Sequence, residues 1–409
     1  MENLKKKNSY RLLLLRAFSQ FGSSMYEIVL PLLVLKFTGS LSNAGLFYAL
    51  IKLPSILLLP FLGIFVERFN RKTVLFYCNF LTLVIFTVQL SLFVTHTISI
   101  AILALLGMLM NLSYSVSDIA TRVIFTEIIP KNQLEKYNGI KSIIDNSAIF
   151  IAPMTGTLLY GMRGIEFVLV VILILYSISA LGIHRIDYKN SSNIQKKNSH
   201  ILIELKEGFQ MVKNEKTILA FFILTMVLNF FVASSEEIIN PGILIAKYQI
   251  SQRYFGFSST FFVIGVIFAG IFIIFHEGIN FQKQLKKIFI TNSLIMILIG
   301  VFSLLFINFS KYIYYGIFLF FQILLGFFTI IVNVPLTSYF QANIPVDFQG
   351  RFFAFLSFSA NLSIPFGISY SGFVAESFGA DIAYIINNIC VILIVIAVYH
   401  RFAILNNKK

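Results

Sequence analysis

Ionisable side chains inside long apolar runs are the residues of this chain best placed to do chemistry. Glu27 and Lys52 lie in the first two runs, Asp145 in the fifth, and Glu236 and Glu237 in the seventh. A charged side chain at the centre of a bilayer costs about 2.5–3.5 kcal/mol on insertion scales, so each is expected to face a cavity or a partner. A carboxylate in such a place can carry a proton or bind a cation.

Several of these residues also have a structural explanation. Glu27 can pair with Lys52, and Asp145 can pair with Lys141 one helical turn earlier. Asp118 and Arg122 share that spacing, which favours a structural role at the end of the fourth run. For Glu27, Glu237 and Asp145, the sequence leaves both explanations open.

The first and seventh runs belong to a repeated pattern. The sequence EIVLP at 27–31 is followed about 210 residues later by EIINP at 237–241, and Ala152-Pro153 is matched by Ile364-Pro365 at almost the same offset. Parallel repeats of a six-span unit are one way in which secondary transporters are built, so the pattern predicts solute movement rather than catalysis. Residues that could bend a span are candidate hinges: Pro31, Pro153, Gly156, Pro241 and Pro365.

Composition excludes an ordinary soluble protein. Of 409 residues, 57% are hydrophobic and 12% are charged, with a mean hydropathy of +0.84, whereas soluble domains carry about 25% charged residues. Apolar runs of about 18 or more residues recur along the chain, and runs of that length cross a bilayer as helices. We therefore expect an all-α membrane protein with about twelve spans, at 12–35, 44–66, 74–94, 98–116, 140–160, 165–183, 218–246, 255–275, 288–307, 312–334, 352–375 and 382–399.

The placement of the basic residues argues against a nucleic-acid partner. The net charge is +14, but most of the 32 Lys and Arg residues fall in alternate loops, which predicts that these loops and both termini are cytoplasmic. Anionic lipid is then a sufficient partner for the positive charge. We expect a monomer in a bacterial inner membrane, and Cys78 and Cys390, both in apolar spans, predict neither a disulfide nor a metal site.

A polar linker divides the predicted spans into two halves. We predict an N-terminal six-helix bundle at 1–184, a cytoplasmic linker at 185–216 and a C-terminal six-helix bundle at 217–409. The linker contains ILIELKEGF at 201–209, which predicts an amphipathic helix on the inner face.

The loop between the second and third spans carries a family motif. Residues 63–72 read GIFVERFNRK, which resembles the signature loop of the major facilitator superfamily, with Glu67 for the usual Asp and Asn70 for the usual Gly. Asn tolerates a left-handed turn, so Asn70 is expected to adopt one. The resemblance implies a cytoplasmic latch in which Glu67 faces the start of the eleventh span near Gly350-Arg351. It also implies that Arg68 or Arg71 pairs with Asp118. The implied gate residues are Gly63, Glu67, Arg68, Arg71, Lys72, Asp118, Arg122 and Arg351.

Two further stretches resemble the macrolide-efflux branch of this superfamily. These are residues 127–139 with 152–156, and residues 341–352. Ala148, Ala152-Pro153 and Gly156 also resemble loosely the span-five motif of exporters, which has glycine where this chain has Ala152 and Thr157. The resemblance implies export, but it does not identify the solute.

Together these features predict a transporter that is not an enzyme. The sequence has no nucleophile elbow, metal cluster or phosphate-binding loop. We expect proton-coupled efflux of apolar or cationic small molecules, of the macrolide or multidrug-resistance type, by alternating access, with the proton gradient in place of a cofactor. The alternatives are an exporter of an endogenous siderophore and a lipid flippase on the same fold.

Overall fold

The computed structural model describes residues 2–38, 41–186, 188, 201–233, 235–250, 252–276, 281–306 and 310–402. Within these helices, some side chains lie outside the description: those of residues 2–6, 31, 32, 35, 36, 38, 41–46, 48, 49, 201, 202, 236, 237, 252, 253, 255, 256 and 281–283.

Long helices make up nearly all of the described chain, and no strand occurs among the described residues. Ten segments of these residues are long and apolar enough to cross a membrane. One of them, residues 131–183, has 53 residues, more than twice the length that one crossing needs. The helices are α1 (Glu2–Thr38), α2 (Leu41–Arg68), α3 (Arg71–Val94), α4 (Ile100–Ile128), α5 (Leu134–Ile183), α6 (Ile201–Asn214), α7 (Lys216–Leu228), α8 (Gln252–Phe275), α9 (Phe281–Leu305), α10 (Lys311–Asn343), α11 (Val346–Phe378) and α12 (Ala380–Arg401).

Helix α5 contains both the fifth and the sixth predicted spans. Its path breaks at Gly164, which has φ 78° and ψ −178°, a conformation that is almost restricted to glycine. Pro153, the predicted hinge, lies inside the helix before this break. The chain therefore turns between the two spans without a loop.

The seventh predicted span is a wide helix rather than a regular one. After α7, the chain continues as π-helical turns at Asn229–Ala233, Ser235–Ile239 and Gly242–Lys247. Pro241, which has no backbone N–H to donate, directly precedes the last of these turns. Short π-helical turns within α-helices are frequently found at functional sites.

The helices pack into two compact units. Unit 1 comprises Met1–Tyr137, Ile144–Gly208 and Gln341–Phe355, and unit 2 comprises Asn138–Ile143, Phe209–Phe340 and Leu356–Lys409. Each has its own apolar core, around Val29, Phe86 and Ile172 in unit 1 and around Ile243, Phe318 and Tyr384 in unit 2. The predicted domain boundaries at 184 and 217 remain predictions.

The linker contains a helix where the sequence predicts one. In α6, Glu204, Gly208 and Val212 are buried, whereas Ile203 and Phe209 are exposed. The buried carboxylate is explained by the ion pairs described below. Residues 189–200, the first part of the predicted linker, lie outside the described chain.

We predict that Gly164→Ala destabilises the protein by about 1–3 kcal/mol, because alanine resists a positive φ. Gly161→Ala is the matched control: it lies three residues earlier, and a Cβ there meets nothing within 4 Å. Thermal unfolding followed by circular dichroism should show a lower midpoint for Gly164→Ala and an unchanged or higher one for Gly161→Ala. Equal midpoints would contradict the break at Gly164.

Candidate functional site

The Gly63–Lys72 motif brings the end of α2 against the start of α11. A Cβ added to Gly63 would lie 2.6 Å from the Gly350 carbonyl oxygen, and one added to Gly350 would lie 2.7 Å from the Gly63 carbonyl oxygen. Each glycine therefore leaves the space that the other backbone occupies. This close approach places Glu67 beside the first turns of α11.

Glu67 binds Arg351 through two hydrogen bonds. The Arg351 backbone N–H donates to Glu67 Oε1 at 2.8 Å and the guanidinium Nε donates to Oε2 at 2.6 Å. The two side chains are 8% and 4% exposed. A carboxylate near a helix N-terminus is stabilised by the helix dipole as well as by its partner. This is the contact that the family resemblance implies.

Arg351 also ties α6 to the motif. Its guanidinium donates to the Glu204 carbonyl oxygen at 3.1 Å and to Glu207 Oε2 at 3.3 Å. Arg68, at the end of α2, donates to Glu204 Oε1 at 3.1 Å. These bonds explain why the Glu204 side chain is buried in a helix whose exposed side carries apolar residues.

The implied pairing of Arg68 or Arg71 with Asp118 is wrong. Arg71 pairs with Glu127 at 3.2 Å, and both side chains are only 1% exposed. Arg71 begins α3, which places it beside the last turn of α4, where Glu127 lies, and not beside Asp118 more than two turns earlier.

Tyr188 completes the environment of Glu127. Its hydroxyl donates to Glu127 Oε2. Burial raises the pKa of the Tyr188 phenol, and the hydrogen bond to the carboxylate raises that pKa further. Lys72 donates to the carbonyls of His184 and Ile186 at 3.1 and 2.7 Å, as expected for a cation near a helix C-terminus.

Asn70 does not adopt the predicted left-handed turn. It has φ −65° and ψ 117°, and its side-chain oxygen accepts from the Thr73 backbone N–H at 3.2 Å. Asn is among the most favourable N-cap residues, because its oxygen satisfies an N–H that the first helical turn leaves unpaired. Asn70 therefore starts α3 instead of replacing a flexible glycine.

A second charged group lies among α1, α4 and α5. Arg16 donates to both oxygens of Asp145, at 2.7 and 2.9 Å, and to Asp118 Oδ1 at 3.1 Å. Arg122 donates to Asp118 Oδ2 at 2.8 Å. Two guanidinium groups thus balance two carboxylates, and the Arg16, Asp118 and Asp145 side chains are 10–16% exposed.

Arg16 is the site residue that the sequence analysis missed. The sequence suggests Lys141 as the partner of Asp145, but Arg16 lies 129 residues away in the chain. The available signal was its position inside the first predicted span, since ionisable residues within spans mark functional sites by default.

Glu27 and Lys52 form the ion pair that the structural explanation anticipates. Their side chains remain 48% and 33% exposed, unlike those of the Arg16 group. They line a cavity of about 30 Å³, and a second cavity of about 30 Å³ is lined by Arg16 and Asp118. Gln20, Ser23 and Tyr114 line both, and the Tyr114 hydroxyl donates to Gln20 at 3.1 Å. Each volume suits one or two water molecules rather than a solute.

The predicted span-five motif packs α5 against α1. A Cβ on Gly156 would lie 3.2 Å from the Met25 carbonyl oxygen, two residues before Glu27, and Ala148 and Ala152 are buried. In unit 2, Pro365 lies inside α11 and is exposed, and Pro241 starts a π-helical turn. The side chains of Pro31, Glu236 and Glu237 lie outside the described part of the structure.

The chain is similar to known membrane transporters. A family model described as Major Facilitator Superfamily matches residues 12–368. The chain belongs to this superfamily. Macrolide efflux protein A of Streptococcus pyogenes is 20% identical over 93% of this chain and 92% of its own length. The uncharacterized MFS-type transporter YfiS of Bacillus subtilis is 21% identical over 95% and 92%.

Solved structures share the fold. A bacterial homologue of the iron transporter ferroportin, in an outward-facing state, has a TM-score of 0.74 at 16% identity over 97% of this chain and 99% of its own. The fucose:proton symporter FucP of E. coli has a TM-score of 0.71 at 13% identity over 96% and 98%. The chain is thus a multi-pass membrane transporter for small molecules and not an enzyme. The predicted family and fold class are confirmed.

We predict that Glu67→Gln destabilises the protein by about 3–5 kcal/mol, because it leaves the buried Arg351 cation without its main anion. Adding Arg351→Met to Glu67→Gln should then cost much less than Arg351→Met alone, in a double-mutant cycle of unfolding free energies. Glu207→Gln is the control, since Glu207 also contacts Arg351 but is 39% exposed. Additive effects would contradict a coupled pair.

We predict that Arg16→Lys lowers stability by about 1–3 kcal/mol although it keeps the charge, because an ammonium cannot reproduce the two-pronged contact with Asp145. Arg11→Lys is the control on the same helix, since Arg11 donates to one backbone carbonyl, of Arg185, at 2.7 Å. The measurement is the unfolding midpoint. Equal unfolding midpoints for Arg16→Lys and Arg11→Lys would show that a positive charge at position 16 is sufficient for stability.

Proposed function

We propose that this transporter exports apolar or cationic small molecules in exchange for protons, and that Glu27 with Lys52 is its coupling site. The observation that carries the proposal is a partly exposed ion pair that lines a cavity within two predicted membrane spans. An ion pair in that position costs desolvation free energy, so a purely structural role would favour replacing it with apolar residues.

Protonation of Glu27 would break this pair. The neutral acid no longer attracts the Lys52 ammonium, and the ammonium then needs water or another anion. A cationic solute near Glu27 would compete with Lys52 for the same carboxylate. Because a proton and a cation cannot both neutralise one carboxylate, the site would exchange one for the other.

The neighbouring charges are suited to a different task. Arg16 donates three hydrogen bonds and Arg122 donates one to Asp118 and Asp145, and the side chains of both aspartates are largely buried. Protonating a carboxylate that is buried in such a network costs more free energy than protonating one in an exposed pair, because it leaves a buried guanidinium without its anion. In this proposal Glu27 is the carboxylate of unit 1 that exchanges a proton for a cation. The ion pairs of Arg16 keep their charges and have a structural role.

Export is the direction favoured by the named relative and by the span-five motif. Macrolide efflux protein A is a distant relative, and Gly156 occupies a close approach of α5 to α1. In this proposal the protein works as a monomer in a bacterial inner membrane with both termini cytoplasmic. Protons enter from outside as the solute leaves.

We predict that Glu27→Gln abolishes substrate-induced proton release from energised inside-out vesicles while the protein stays folded. The panel comprises macrolides, cationic dyes and catechol siderophores, with Glu237→Gln assayed in parallel as the repeat-related carboxylate. Glu376→Gln is the control, because Glu376 is an exposed carboxylate in α11. A fluorescent pH probe reports the release.

Transport at wild-type rates by Glu27→Gln would remove Glu27 from the coupling step. A response to siderophores alone would favour export of an endogenous product, and wild-type protein that responds to no compound would favour lipid movement.

A further inference from the structure

Unit 2 contains a much larger cavity than those of unit 1. Its volume is about 210 Å³, against about 30 Å³ for each cavity around Arg16 and Glu27. It lies among α7, α8, α9 and α10, and the π-helical turn at Asn229–Ala233 forms part of its wall. A space of this size accepts an aromatic ring with substituents rather than one or two water molecules.

The wall of this chamber is neutral and amphiphilic. Phe262 and Phe289 provide aromatic surface, whereas Asn229, Asn292, Asn333 and Thr329 provide polar groups. None of the described residues that line it is ionisable. A cation that entered would lose hydration without gaining a counter-ion, so the chamber disfavours charged ligands.

Asn292 supplies a hydrogen-bond acceptor that the described protein leaves unused. Asn292 is 5% exposed, and its Oδ1 atom has no hydrogen-bond partner among the described residues. A buried polar atom without a partner costs about 1–3 kcal/mol. By contrast, Asn229 is anchored, since its Nδ2 donates to the Thr225 carbonyl at 2.9 Å.

The sequence repeat relates this chamber to the charged cavity of unit 1. The repeated motifs are offset by 210 residues (Glu27 to Glu237) and 212 residues (Pro153 to Pro365). Cavity-lining residues correspond at offsets of 210 to 211, within this range: Ser19 with Asn229, Ser23 with Ala233, and Asp118 with Thr329. The same place in the repeat thus holds an ion-pair network in unit 1 and an open neutral chamber in unit 2. The unit 1 cavity and the unit 2 chamber therefore differ in the charge of their lining and in their free volume.

We propose that this chamber binds a neutral aromatic group bearing a hydroxyl or amide hydrogen-bond donor, with Asn292 Oδ1 as the acceptor. The role of that group as part of an exported solute rests on the proposed function, but its binding does not. Neutral, donor-bearing ring systems are therefore the substrate class that unit 2 selects.

The absence of tryptophan from the chain gives a direct assay. Phe262→Trp places a single fluorophore in the chamber wall, and Phe268→Trp on the same helix, 57% exposed, reports partition into detergent or lipid. The probes are 4-nitrobenzyl alcohol, 4-nitrotoluene and 4-nitrobenzylammonium, whose nitroaromatic rings quench tryptophan. They differ in the donor and in the charge.

We expect saturable quenching of Phe262→Trp by the alcohol, with an affinity about tenfold above that of nitrotoluene, as one buried hydrogen bond predicts. Adding Asn292→Leu should abolish that preference, and Asn292→Asp should shift it to the ammonium probe, a gain that misfolding cannot imitate. Phe268→Trp should be quenched without saturation.

Equal, non-saturable quenching at both positions, or an alcohol preference that survives Asn292→Leu, would overturn the chamber assignment. The assay uses no proton gradient, so its outcome is independent of the exchange test on Glu27. Binding without proton exchange would remove the coupling proposal alone, and exchange without binding would remove the chamber alone.

Discussion

Neutralisation of charge inside apolar helices is the constraint on which unit 1 depends. Arg16, Arg71 and Arg351 each lie within long helices, and each meets carboxylates at 2.6–3.2 Å. A guanidinium left alone there would cost several kcal/mol, so the helices must approach wherever such charges occur. The ion pairs therefore decide which helices are neighbours: α1 with α4 and α5, α3 with α4, and α2 with α11.

Glycine makes the most demanding of these contacts possible. Glu67 reaches the backbone N–H of Arg351 because Gly63 and Gly350 bring the two backbones together. Because lipid is as apolar as the side chains, the hydrophobic effect does not drive helices together within a membrane; close packing and polar contacts do, and small residues allow both. In this motif, Gly63 and Gly350 set the distance between the backbones of α2 and α11, and the Glu67–Arg351 ion pair forms because that distance is short.

The sequence predicted the fold and part of this arrangement, for reasons that can be separated. Hydropathy determined the spans, because length and apolarity are properties of one segment. The Glu67–Arg351 contact came from family resemblance. The pairing of Asp118 with Arg122 followed from helical spacing and is present in the structure, whereas the pairing of Asp118 with Arg68 or Arg71, taken from the resemblance, was wrong. Arg16 was missed because spacing along a helix does not say which distant helix lies opposite. The extended backbone of Asn70 and the positive φ of Gly164 depend on where a helix starts or breaks, and composition does not determine these positions.

The two units show how a duplicated frame can divide chemical tasks. In unit 1 the cavity at the repeat position is lined by the ion pairs of Arg16 and has room for one or two water molecules, so it suits holding fixed charge. At the matching position in unit 2, a threonine replaces the aspartate, the helix wall widens through π-helical turns, and free volume replaces the ion pairs. A neutral chamber cannot exchange a proton, and a filled charged network cannot hold a ring.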